Sequence, residues 1–102
     1  MRMTIIEKSG ILAWNEENVN KAPDATGVYI LRKADQKIEN GYIGRTREPR
    51  RLKERLLEHW RNKDIPNVAY FDWYQTDSEE NAKNTEDRWI KQYKPKHNIQ
   101  QK

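Results

Sequence analysis

The chain has 102 residues, with 20 Lys plus Arg against 16 Asp plus Glu, a formal net charge of +4 and no cysteine. That length predicts one domain, 1–102, with one modest core, and the missing cysteine excludes a disulfide framework, a thiolate zinc site and a cysteine nucleophile. Two histidines are too few for most all-protein zinc sites, and with no bilayer-length apolar run and no signal-peptide h-region the expectation is a cytoplasmic protein with no membrane partner.

A composition of 34% hydrophobic and 35% charged residues approaches that of disordered chains. Four Trp, five Tyr and one Phe oppose that, because each large aromatic buries much area. The basic balance is compatible with a polyanion partner, and equally with an ordinary mildly basic protein.

In chain order, Thr4-Ile5-Ile6 and Ile11-Leu12-Ala13-Trp14 flank Ser9-Gly10 and are expected to pair as strands. Asn15 can cap a short helix to about Asn20, which Pro23 closes. Gly27 to Lys33 reads as a strand, with Val28, Ile30 and Arg32 on one face and Tyr29 and Leu31 on the other. A polar stretch from Ala34 ends in the turn dipeptide Asn40-Gly41, and Tyr42 to Thr46 is the return strand.

Pro49 suits the first turn of a helix over Arg50–Asn62, whose core stripe is Leu52, Leu56, Leu57 and Trp60. Val68 to Thr76 is the third strand. Asp77 with Glu80 resembles a capping box for a helix reaching Tyr93, with Ala82, Trp89, Ile90 and Tyr93 inward and Pro95 stopping it. Lys96-His97-Asn98 then packs back or frays.

Several residues along this framework can do chemistry. Arg51, Arg55 and His59 share one line of the helix beside its apolar stripe. They can form a solvated flank with Arg55 paired to Glu54 or Glu58, or direct a guanidinium at a phosphate. Glu86 lies beside the apolar face of its own helix, given Trp89, Ile90 and Tyr93 at i+3, i+4 and i+7. A carboxylate there needs a partner, which can be Arg55, Lys83 or a divalent metal.

Tyr29 and Tyr42 are phenols on neighbouring strands. A phenol activates water only if nearby cations lower its pKa from about 10; otherwise the two simply pack. Arg45, Arg47, Arg50, Arg51 and Lys53 form the densest basic run, at a helix start where backbone N–H groups also favour anions. Asn98, just beyond the last helix, can satisfy stray backbone groups.

Together these residues resemble the GIY-YIG nuclease superfamily over 26–98. Gly27-Val28-Tyr29 and Tyr42-Ile43-Gly44 resemble the two name-giving motifs. Arg55-Leu56-Leu57-Glu58-His59, Glu86-Asp87-Arg88-Trp89-Ile90 and Tyr93-Lys94-Pro95-Lys96-His97-Asn98 resemble the helical Arg-x-x-x-His, the metal-binding glutamate and the closing Tyr-x-Pro-x-x-Asn segment. Arg55 lies farther beyond Gly44 than the family's arginine does. That implies a short insertion in the loop containing Pro49, and Arg51 competes as the catalytic arginine. Residues 1–25 form an N-terminal extension without an assigned role.

The resemblance implies an α+β fold with a three-stranded antiparallel sheet flanked by helices, and metal-dependent endonucleolytic cleavage of DNA. It implies that Glu86 holds Mg²⁺ or Mn²⁺, that Arg55 binds a nonbridging oxygen, and that Tyr29 or Tyr42 orients the attacking water. His59 then contacts the phosphate or shapes the site, and Asn98 orders it. Gly44, Arg45, Arg47 and Arg51 are the expected nucleic-acid contacts. Family members serve in mobile elements, DNA repair, restriction and branched-DNA processing, where a second DNA-binding domain usually supplies specificity. For this chain the resemblance implies DNA, branched or nicked, with a partner protein or a homodimer supplying specificity. Two other readings remain open: a catalytically inactive nucleic-acid-binding domain of the same fold, and an interaction module using an exposed Tyr70–Tyr74 patch.

Overall fold

The computed structural model describes residues 5–100, with side chains through Asn98. The elements run β1 (Ile5–Lys8), β2 (Leu12–Ala13), α1 (Glu16–Asn20), β3 (Gly27–Arg32), a 3-10 turn (Ile38–Asn40), β4 (Tyr42–Arg45), α2 (Leu52–Asn62), β5 (Tyr70–Thr76), α3 (Glu79–Tyr93) and α4 (Lys96–Gln100). The fold is α+β, an antiparallel sheet flanked by helices, as expected. The strand order is β1-β5-β3-β4, and β2 also pairs β5, so the sheet has five strands rather than three.

The two extra strands come from the N-terminal extension, and they do not pair with each other. Both run antiparallel along one edge of β5, with Leu12 opposite Phe71 and Lys8 opposite Tyr74. Ser9 bridges them: its N–H donates to the Trp73 carbonyl at 3.1 Å and its hydroxyl accepts from the Trp73 N–H at 3.0 Å. They form one interrupted strand, because an open β5 edge offers every donor and acceptor a partner without a chain reversal. Thr4, counted in the first apolar run, lies outside the described residues. β5 is therefore interior to the sheet. Tyr70 to Tyr74 are buried or half-buried, so the segment offers no exposed aromatic patch.

Strand β3 is buried along its whole length because helices cover both faces of the sheet. Tyr29 and Leu31 join Phe71, Leu52, Leu56 and Val19 in the core under α1 and α2. Val28 and Ile30 join Ile43 under Trp89, Ile90 and Tyr93 of α3. The predicted division of strand faces holds, as do the inward positions of α3.

Helix starts differ from the sequence reading in two places. Ser78, not Asp77, caps α3, its hydroxyl accepting from the Asn81 N–H at 3.1 Å. α2 starts at Leu52 with Arg51 as its cap, so Pro49 stands in the preceding turn rather than the first helical turn. Asn15 caps α1 as predicted, accepting from the Asn18 N–H at 2.8 Å.

On the α3 side, Arg32 and Asp72 make a bidentate buried pair, Nε to Oδ1 and Nη2 to Oδ2, both 2.9 Å. Tyr74 adds a hydroxyl donor to Asp72. The pair joins β3 to β5 diagonally: Asp72 stands opposite Ile30, and Arg32 stands opposite Tyr70.

Candidate active site

The register of β3 against β4 sets Tyr29 opposite Gly44. Those two residues make one unit. A methyl group at Gly44 would overlap the ring and hydroxyl of Tyr29, so the glycine leaves the space in which the phenol lies across β4. Gly44 thus serves Tyr29 directly, a role distinct from the nucleic-acid contact expected of it.

The Tyr29 hydroxyl points at α2. It lies 2.8 Å from His59 Nε2, and Arg55 Nη2 donates to it at 3.4 Å. Tyr42 packs edge-on against the same imidazole, ring centroids 5.5 Å apart. The i, i+4 spacing brings Arg55 and His59 to one side of α2, as predicted. Arg51 leaves that line because it caps the helix in an extended conformation and turns to Glu48.

Sequence reasoning missed Asp64. Its Oδ1 lies 2.8 Å from His59 Nδ1. A spacing of five residues does not bring side chains together within one helix. Here Lys63 takes the left-handed conformation (φ 51°, ψ 40°), ends α2 and folds the chain back, so that Ile65 enters the core and Asp64 meets the histidine. A carboxylate just past a helix end, near a histidine in its last turn, was the available signal.

Glu86 projects from α3, on the other side of the sheet. Its partner is Arg45, Nε to Oε1 at 3.2 Å, rather than Arg55 or Lys83; Lys83 pairs with Asp87 instead. Arg45 alternates with Gly44 along β4, so its side chain falls on the α3 face. β4 is the sheet edge, and the two halves of the cluster meet around it: Tyr29, Tyr42, Arg55 and His59 from one face, Arg45 and Glu86 from the other.

Asn98 lies on this edge without reaching the phenols. Its carboxamide accepts from the Ile43 N–H and donates to the Ile43 carbonyl, each at 2.8 Å. The His97 N–H donates to the Gly41 carbonyl at 3.2 Å. The C-terminal segment therefore packs back onto β4.

Most of the basic run is neutralised locally. Arg50 and Arg55 share Glu58, at 3.0 and 2.6 Å, and Arg51 takes Glu48. Burial works against charge on Glu58, but these two arginines outweigh it and hold its carboxyl below the usual range. Among the described residues, Arg47 and Lys53 have no carboxylate partner. Arg47, Arg50 and Arg55 line a recess of about 200 Å³ beside the Tyr29 cluster.

Residues 25–99 match the UvrC-like GIY-YIG domain. The chain belongs to that GIY-YIG family. It is 33% identical over 92 residues to the UvrABC system protein C of Aquifex aeolicus, covering 82% of this chain and 15% of that protein. The Clostridium acetobutylicum protein of that name is 31% identical over 93 residues, covering 82% and 14%, and that of Thermoanaerobacter sp. is 32% identical over 93 residues with the same shares. The chain thus spans about one-seventh of the length of the curated relatives it matches. No solved structure matches it. Among the described residues no helix is long and apolar enough to cross a membrane.

The electrostatics of the GIY-YIG cluster run against a ready-made phenolate. Burial raises the Tyr29 pKa, and neighbouring Tyr42 adds to this; Arg55 pulls it down but does not prevail. Burial also raises that of Tyr42, with Glu86 second, against Arg55 and Arg47. Both phenols are neutral at ordinary pH. The cations expected to lower them are outweighed, because desolvation penalises a buried charge more than partly exposed guanidinium groups repay it.

Burial likewise raises Glu86 above the usual carboxylate range despite Arg45. Among the described residues no group of three or more His, Cys, Asp or Glu gathers as a metal centre. Glu86 offers a single carboxylate whose Oε1 is taken by Arg45. A lone carboxylate completed by water and substrate phosphate oxygens suits Mg²⁺, which keeps most of its hydration shell.

Proposed function

We propose that this GIY-YIG domain is a DNA endonuclease that hydrolyses phosphodiester bonds with one Mg²⁺ or Mn²⁺ at Glu86. The observation that carries this reading is the convergence around the β4 edge of the Tyr29 and Tyr42 phenols and Arg55 from one face and the Glu86 carboxylate, paired to Arg45 of β4, from the other. When bound, the metal would polarise the scissile phosphate and stabilise the leaving oxyanion.

The chain's own residues divide the remaining work. Tyr29 is fully buried and its hydroxyl is occupied by His59 and Arg55, whereas Tyr42 is half-buried and keeps its phenol near solvent. Tyr42 therefore orients the attacking water by a hydrogen bond, as a neutral group. Arg55 binds a nonbridging oxygen and offsets the charge that grows in the transition state. Both His59 nitrogens are engaged inside the protein, so His59 shapes the site rather than touching phosphate. Asn98 orders the β4 edge. Arg45, Arg47 and Arg51 would contact the DNA backbone, and Arg47, which lines the recess and has no carboxylate partner among the described residues, is the strongest phosphate contact. Relatives named for a UvrABC system favour a DNA substrate, with a further domain or partner supplying specificity.

The test is Mg²⁺-dependent cleavage of a panel of duplex, single-stranded, flapped and branched DNAs, with Glu86→Ala and Arg55→Ala as controls. Cleavage by the wild type and its loss in both variants is the expected result. Full nicking by Glu86→Ala would sink the assignment. Salt-sensitive binding without metal-dependent scission would instead favour a non-catalytic DNA-binding domain.

A further inference from the structure

We propose that Asp64 is a positioning residue for the catalytic arginine, acting through His59 and Tyr29. This rests on the nuclease reading of the site. The four groups form one directional chain of hydrogen bonds. Arg55 Nη2 donates to the Tyr29 hydroxyl at 3.4 Å, that hydroxyl lies 2.8 Å from His59 Nε2, and His59 Nδ1 lies 2.8 Å from Asp64 Oδ1.

Donor and acceptor counting fixes its direction. An ionised carboxylate only accepts, so the proton between Asp64 and His59 sits on Nδ1. Neutral imidazole then has a bare Nε2, which must accept, and only Tyr29 is there to donate. The Tyr29 proton is thereby turned away from Arg55, and an oxygen lone pair faces the guanidinium.

Reversing the imidazole tautomer would break this sequence. With the proton on Nε2, Tyr29 would become the acceptor from His59, and its own proton would turn toward Arg55. A guanidinium has donors only, so two donors would face each other and Arg55 would swing away. The histidine is 7% exposed and Tyr29 is fully buried, so no bulk water stands by to repair the mismatch. Asp64 is the most exposed member, its side chain 45% exposed against 27% for Arg55. It selects the tautomer from outside the core, where a substitution disturbs little packing.

The left-handed Lys63 supports this assignment. A non-glycine residue rarely adopts that conformation, and it is tolerated where surrounding contacts impose it. Here it sets both the core residue Ile65 and the hydrogen bond to His59.

The experiment compares wild type, Asp64→Ala and Asp64→Asn as full chains, by steady-state nicking in Mg²⁺ and by the ¹⁵N signature of the His59 tautomer in the free protein. Asp64→Ala is expected to lower kcat by roughly 10- to 100-fold, the range for supporting and misplaced groups, with KM changed little. Asp64→Asn can turn its amide N–H to Nδ1 as readily as its oxygen, so it no longer selects one tautomer and is expected to recover little of that loss. The wild-type imidazole is expected protonated on Nδ1, and mixed in Asp64→Ala. Wild-type kcat in Asp64→Ala, or a wild-type His59 protonated on Nε2, overturns the proposal. A wild type that fails to cleave removes the nuclease reading instead, and the tautomer then decides whether Asp64 orients this chain.

Discussion

The carboxamide of Asn98 makes two hydrogen bonds of 2.8 Å to a single residue, Ile43, which stands 55 positions earlier. Ile43 lies between Tyr42 and Gly44 on the edge strand, so Asn98 supplies the donor and acceptor that a further strand would otherwise provide. Asn98→Ala leaves both backbone groups to solvent and is expected to cost about 1–3 kcal/mol, read by urea unfolding, and to slow cleavage as the edge loosens. Asn98→Asp keeps the acceptor but sets a carboxylate oxygen against the Ile43 carbonyl, so it should cost at least as much as alanine.

Gly44→Ala places a methyl group where the Tyr29 phenol lies. Overpacking of this kind costs about 1–3 kcal/mol. Cleavage should fall further than stability, since the displaced ring holds both His59 and Arg55. An alanine variant with wild-type midpoint and rate would show that the ring has another place to go.

Asp72→Ala breaks the buried pair with Arg32 and leaves a cation without its carboxylate. The expected loss is about 3–5 kcal/mol, measured by denaturant titration. The pair lies away from the catalytic cluster, so at a temperature where the variant remains folded its cleavage rate should stay close to wild type.

Tyr29 gives the alkaline limb of the stability profile a definite sign. Its pKa is raised above the ordinary value of 10.0, with burial the largest cause. Above about pH 10 the unfolded chain loses this proton first, so stability is lost as pH rises from there toward the folded-state value. Tyr29→Phe should flatten part of that decline in urea titrations from neutral to strongly alkaline pH. Tyr42 and Tyr74 are raised too and account for the remainder. An unchanged slope would mean that the phenol ionises while folded.

Glu86 follows the same logic at lower pH. Burial raises its folded pKa above the unfolded value near 4.5, so ionisation costs the folded state stability as pH rises through that interval. Glu86→Gln should melt at or above the wild-type temperature at neutral pH, with the difference fading in acid, while cleavage disappears. A variant that melts well below wild type at neutral pH would show that the Arg45 pair outweighs desolvation.

Much of this was legible in local pattern. The alternating faces of Gly27–Arg32, the stripe of Leu52, Leu56 and Trp60, and the cap at Asn15 follow from periods and hydrogen-bonding chemistry that act over a few residues. The motif residues Tyr29, Tyr42, Arg55, His59, Glu86 and Asn98 could be named because their chemistry and order are visible along the chain. The preference of Ser78 over Asp77 as a cap was less legible, since either side chain has the required oxygen.

What the sequence by itself determined is therefore most of the elements, α4 excepted, with their inward faces and the family. Only the tertiary structure decided that β1 and β2 share the edge of β5, that Glu86 takes Arg45, and that Asp64 reaches His59. Each of these is a choice among partners far apart in sequence or beyond a reversed helix end. Competing partners differ by only a few kcal/mol, and such choices are made when strand register, burial and hydrogen-bond satisfaction are resolved together. The phenols show the same division: the residue types were readable, but their raised pKa values come from the depth at which the sheet and α2 enclose them.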